Sequence, residues 1–254
     1  MKYNKIISLA SVMALGLSMG AGVVSAAGQD GGEYTSNGLI QFIPGKNPVD
    51  PVDPLDPEQP VEPTDPTDPT NPDKKPNPGT SGPLSIDFAS SFYFGENTIT
   101  SKDETYYAKL QKYKDKDTDQ ELREGPNYVQ VTDNRGTLGG WTLKVKQTKQ
   151  FETDDSHKLE GAKITLTNGN INTVSESTPA TAVDEIEIDK MDADFLVMSA
   201  KKDAGAGTFL TRWGDEDLAK SKESVKLFVP GKAVKKKAQY RTSFVWTLTD
   251  VPGN

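Results

Sequence analysis

The sequence predicts an all-β fold: a single β-sandwich or barrel-like domain, Greek-key or Ig-like, preceded by a signal peptide and an extended proline-rich linker. Three observations predict it. Short runs alternate apolar and polar residues at period two, glycine and asparagine punctuate them, and no stretch holds a long helical periodicity. Many short strands separated by turn-rich gaps are the raw material of sandwiches and barrels.

Residues 1–27 read as a secretory signal peptide. Lys2 and Lys5 make a positive start, and Ile6 to Gly20 form an apolar stretch too short to span a bilayer comfortably. Val24-Ser25-Ala26 or Ser25-Ala26-Ala27 offers a small-residue cleavage site. Residues 28–47 form an N-terminal segment with one short strand at 38–43. Leu39 to Ile43 is too apolar to leave in water, so this strand is expected to dock on the domain that follows.

In residues 48–83 proline recurs at every third position from Pro48 to Pro72. Polyproline II has three residues per turn, so the prolines line one edge. Asp50, Asp53, Asp56, Glu62, Asp65 and Asp68 line a second edge, where like charges repel and extend the chain. An extended linker is the expectation, bowing outward as a long loop if the strand at 38–43 docks and serving as a free spacer if it does not.

Residues 84–254 suffice for one large β domain. Its expected strands are Leu84–Phe88, Tyr106–Leu110, Tyr128–Thr132, Trp141–Gln147, Lys163–Thr167, Asp184–Ile188, Phe195–Ser199, Val225–Val229 and Ala238–Thr249. Asp215 to Lys222 reads as one short turn of helix, and the charged segments 101–124 and 148–160 read as insertions.

Composition removes several function classes. There is no cysteine, so no disulfide, thiolate nucleophile or thiolate metal site is available. The net charge is −8 at pH 7, and residues 28–83 hold ten acidic against three basic side chains. The domain itself is near balance and lacks the basic footprint of a nucleic-acid binder. No second apolar run of membrane length, no Leu-Pro-x-Thr-Gly sorting signal and no hydrophobic C-terminal tail is seen, so surface retention is expected to rest on binding.

Two strands carry the same three residues. Trp141-Thr142-Leu143 opens one, with Trp141, Leu143 and Val145 on a single face. Trp246-Thr247-Leu248 lies in the other, where Tyr240, Thr242, Phe244, Trp246 and Leu248 share a face and Pro252-Gly253 ends the strand. Between and before them stand Pro126 to Gly136, Gly140 and Leu159-Glu160-Gly161-Ala162. In the order and spacing of these motifs the chain resembles the WxL-domain surface proteins of Gram-positive bacteria, over roughly residues 84–254.

The resemblance implies a secreted protein held non-covalently at the cell wall through peptidoglycan, in a surface assembly or adhesion complex. A membrane-anchored WxL-interacting protein and other WxL proteins are the implied protein partners, and no enzyme activity is implied. The alternatives are a general carbohydrate-binding module and a structural coat protein held by a membrane-anchored receptor. The motif residues are Trp141, Leu143, Tyr240, Trp246, Leu248 and Pro252, marking either the fold or the wall-binding surface. Because both tryptophans share a face with leucine, core packing is favoured over sugar stacking.

Other constellations point to no catalytic residue, cofactor or metal. His157, the single histidine, sits in a polar loop, and no Gly-x-Ser-x-Gly nucleophile elbow occurs. Asp115-Lys116-Asp117-Thr118-Asp119 has the alternate-acid spacing of a calcium loop but has Gln120 where glycine is required and Pro126 where glutamate is required. Lys232, Lys235, Lys236, Lys237 and Arg241 read as solvated charges guarding a strand edge.

Overall fold

The computed structural model describes residues 33–67, 74–118 and 121–253. The expected signal peptide lies outside them. The chain divides into two units, Met1–Gln41 and Phe42–Asn254. In the first, residues 33–41 carry no helix or strand, and Leu39 and Ile40 are exposed. The second opens with Phe42 and Ile43, exposed as well. The strand expected at 38–43 is therefore not formed. Five residues between Gly38 and Pro44 have no ladder partner there, and a lone strand cannot bury a face. Just after Pro44 the Gly45 N–H donates to the Asn134 carbonyl at 3.1 Å.

The strands in chain order are β1 (Val61–Pro63), β2 (Leu84–Ala89), β3 (Glu104–Tyr107), β4 (Gln111–Asp115) and β5 (Arg123–Gly125). Then come β6 (Asn127–Asp133), β7 (Trp141–Gln147), β8 (Lys163–Leu166), β9 (Gly169–Asn172) and β10 (Thr181–Ala182). Last are β11 (Ile186–Ile188), β12 (Phe195–Ala200), β13 (Gly207–Trp213), β14 (Val225–Val229) and β15 (Phe244–Thr249). Among the described residues one short helix, α1 (Leu218–Ser221), falls inside the expected helical turn. The Asp217 carboxylate caps it by accepting from the Ala219 and Lys220 amides.

The fold is all-β. Among the described residues hydrogen bonding divides the strands into four small antiparallel sheets, in place of the two facing sheets or single closed barrel expected. Their orders are β2-β6-β13-β9, β10-β12-β7-β15, β11-β8-β14-β3 and β1-β4-β5. The strands are short, and register shifts between Ile86 and Phe88 and between Leu196 and Met198 bend two of them away from a continuous ladder. The three four-stranded sheets share one apolar core. Val129, Val131, Phe209 and Trp213 come from the first, Trp141, Leu143, Val145 and Met198 from the second, and Ile164, Ile188 and Leu227 from the third.

The proline tract is where structure and expectation part most. Residues 49–66 are built into the domain as a strap across the outer face of β6 and β13, and neither bow outward as a loop nor run as a free spacer. Val52 pairs with Pro60 in an isolated bridge, and β1 pairs antiparallel with β4, setting Val61 opposite Asp115 and Pro63 opposite Tyr113. Proline is tolerated there because β1 is an edge strand, where a missing N–H costs no ladder bond. The acidic side chains do not simply repel one another; they find donors. Asp53, 1% exposed, accepts from the Tyr113 hydroxyl, the Arg123 guanidinium and the Leu55 amide, each at 2.8 Å. Asp50 pairs with Lys116 at 2.6 Å and Glu62 with Lys114 at 3.1 Å.

Polar side chains on the sheet's outer face grip the strap backbone. The Val52 amide donates to Gln130 Oε1 at 2.8 Å, and Gln130 Nε2 donates to the Asp50 carbonyl at 3.0 Å. The Pro54 carbonyl accepts from Asn172 Nδ2 at 2.8 Å and from Arg212 at 3.1 Å. Val52 also closes a second apolar cluster of Phe88, Tyr128 and Leu210. Beside it Asp87 accepts from Ser85, Gln130 and Thr132; burial still pushes its carboxyl above the usual carboxylate value. Both faces of β6 and β13 are thus covered, the inner by the main core and the outer by the strap.

Candidate functional site

The two Trp-Thr-Leu strands lie side by side. β15 pairs antiparallel with β7 at the end of its sheet, setting Trp246 opposite Val145, Leu248 opposite Leu143 and Thr249 opposite Thr142. Inward-facing residues of both strands join the main core.

The two tryptophans are placed differently. Trp141 and Leu143 are fully buried. The Trp141 indole N–H donates to the Gly205 carbonyl at 2.9 Å, meeting the polar requirement of a buried indole. Gly205 has φ +75°, and a Cβ there would come within 2.3 Å of Ala200 Cβ and 2.8 Å of Trp141 Nε1. Only glycine lets the backbone approach the indole so closely. Trp246 and Leu248 are half-buried at the sheet's edge. Trp246 packs on Trp213, ring centroids 6.1 Å apart, and Phe92 meets Trp213 and Phe244 edge-on at 5.9 and 5.5 Å. The structure brings Trp246 to the fully buried Trp213, which the motif pattern did not single out. Its signal was an aromatic, β-branched run between Gly207 and Gly214.

The segments around the motif act as clips. Arg135 grips Asp133 with two hydrogen bonds of 2.9 and 2.7 Å and donates to the Gly140 carbonyl at 2.8 Å, fixing the entry to β7. At the other end Thr142 Oγ1 donates to the Val251 carbonyl at 2.8 Å, and the Gly253 amide donates to the Ala200 carbonyl at 2.9 Å. Pro252 between them is exposed. Tyr240 is half-buried against the same core, its hydroxyl accepts from the Lys236 amide at 2.8 Å, and its ring meets His157 at 6.1 Å.

His157 donates from Nε2 to the Val234 carbonyl at 2.8 Å, which holds two loops together. Most of the basic cluster is also engaged. Lys236 pairs with Asp155 and holds its carboxyl down to about 2, Arg241 lies 3.8 Å from Asp154, and Lys235 Nζ donates to the Pro230 and Ala233 carbonyls. Asp115 pairs with Arg123, and Asp119 lies outside the described residues. Among the described residues no three His, Asp or Glu side chains are grouped to hold a metal ion. No helix among them is long and apolar enough to cross a membrane.

These placements test the motif tryptophans separately. Trp246→Ala removes a half-buried ring, so it should cost about 2 kcal/mol, less than the ~3–5 kcal/mol of a fully buried tryptophan. At about 2–4 °C per kcal/mol for a domain of this size, the melting temperature should fall by about 4–8 °C. Thermal unfolding followed by circular dichroism checks it.

The all-β body thus carries two paired Trp-Thr-Leu strands, one with its tryptophan in the core and one with its tryptophan half-buried at a sheet edge. The chain belongs to the WxL family of surface cell wall-binding domains, whose match covers residues 29–252. Its place is therefore the cell wall, on the extracellular surface. The match takes in the strap as well as the sheets. No curated relative and no solved structure matches the chain.

Proposed function

We propose that this protein is a secreted surface protein of a Gram-positive cell, retained non-covalently because its WxL domain binds peptidoglycan. It acts by binding, not by catalysis, as one component of a surface assembly or adhesion complex with a membrane-anchored WxL-interacting protein and other WxL proteins. The observation that carries this reading is the family match, which spans the compact unit from the strap to the C-terminal motif. The burial of Trp141 adds to it, because a core tryptophan serves the scaffold and leaves ligand contact to the outer faces.

The test is sedimentation of the mature chain with purified peptidoglycan, with and without teichoic acid, and with cell extract added back. Binding to bare peptidoglycan is the expected result. Binding that requires extract would replace this reading with retention through a protein receptor.

A further inference from the structure

The sheet ordered β11-β8-β14-β3 turns Ile188, Ile164, Leu227 and Tyr106 toward the core. Its opposite face is open, and its register can be read across the strands. One row sets Glu187 beside Thr165, Lys226 and Tyr107; the next sets Lys163 beside Phe228 and Thr105. Two aromatic rings therefore lie on the solvent side. Tyr107 is 42% exposed. Phe228 is half-exposed, alternates outward between the buried Leu227 and Val229, and is absent from both apolar clusters. Cross-strand diagonal neighbours of this kind stand about 7–8 Å apart.

The charges on the face are arranged unevenly. Lys163 is engaged with Glu187 at 3.1 Å. Lys226, whose stem lies in the row between Thr165 and Tyr107, has no ion pair among the described residues. The face thus offers two aromatic planes, threonine hydroxyls and one uncommitted ammonium on a flat, strand-supported surface.

We propose that this face is the docking platform for an acidic amino-sugar glycan, the glycan strand of the wall, whose carboxylates lie on its stem peptides in intact peptidoglycan and on its lactyl groups once those peptides are cut away. The proposal rests on the peptidoglycan-binding reading and names the surface that performs it. A pyranose ring has an apolar C–H face that stacks on Tyr107 and Phe228, and an equatorial rim of hydroxyl and amide groups within reach of Thr105 and Thr165. Lys226 supplies the complementary charge for a carboxylate. A protein partner fits less well. A stable protein interface buries about 1,200–2,000 Å² around an apolar centre, whereas these two rings are isolated among charged and hydroxylated side chains. The opposed sheet face carrying Lys144, Lys146 and Thr247 has no outward aromatic ring among its paired residues.

The test uses the mature chain, teichoic acid-free peptidoglycan, and soluble glycan strands freed of their stem peptides by an amidase. Tyr107→Ser combined with Phe228→Ser should weaken binding to both by at least about tenfold, the loss expected when interface aromatics are removed. Lys226→Glu, which leaves both rings in place, should weaken binding in the same direction and decides the matter if the double variant unfolds. Lys144→Glu serves as a control on the other sheet and should bind as the parent does. If the parent binds peptidoglycan and folded variants of this face bind equally well, the platform is overturned while wall binding stands. If the parent binds neither probe without cell extract, both readings fall together.

Discussion

Trp141→Ala is expected to lower stability by about 4–5 kcal/mol, at the upper end for truncating a buried aromatic. The indole is fully buried, and its removal leaves a cavity in the core shared by three sheets. It also strips the Gly205 carbonyl of its donor. The melting temperature should fall by about 8–20 °C on the usual scaling for a domain of this size. Trp141→Phe separates the two contributions, because it refills part of the volume without restoring the hydrogen bond. Urea unfolding of both variants measures them. A Trp141→Ala protein that unfolds at the parental urea midpoint would show that the first motif tryptophan does not hold the core.

Deleting Asp50 to Thr64 should unfold the domain outright. Without the strap, Phe88, Tyr128 and Leu210 lose their cover, at about 1.5–3 kcal/mol for each fully buried side chain. The Gln130 amide, the Arg212 guanidinium and the Tyr113 hydroxyl lose their strap acceptors at the same time. These losses rival the 5–15 kcal/mol total stability of an ordinary domain. The expected observation is a truncated chain that is degraded or lacks a cooperative thermal transition. A truncated chain with the parental melting temperature would restore the free-linker picture.

Legibility from sequence followed the environment of each strand. β7 and β14 have the bounds read from the pattern because each buries one face and exposes the other, which writes a clean alternation. β13 went unread for the opposite reason. Leu210 and Arg212 lie under the strap while Phe209 and Trp213 lie in the core, so apolar and polar residues are buried together. The strap itself was misread because a proline triplet carries no trace of its receptors, Gln130 and Arg212, which lie 78 and 158 residues away from their strap partners. At the motif, shared side-chain direction was visible in the sequence. The difference between a fully buried Trp141 and a half-buried Trp246 was not, because it depends on β15 being the last strand of its sheet.

The strap also sets an order of events for a chain that must cross a membrane to reach its place. Its residues leave before the sheets it covers, yet Arg212, which holds Pro54, leaves 158 residues later, and Val251 comes 109 residues after its partner Thr142. Folds dominated by such distant pairings close slowly, since each contact waits for a long loop. The outer face of β6 and β13 cannot be completed until Arg212 has emerged, nor the edge of β7 until Val251 has. A compact intermediate is thereby disfavoured while those residues are still in transit.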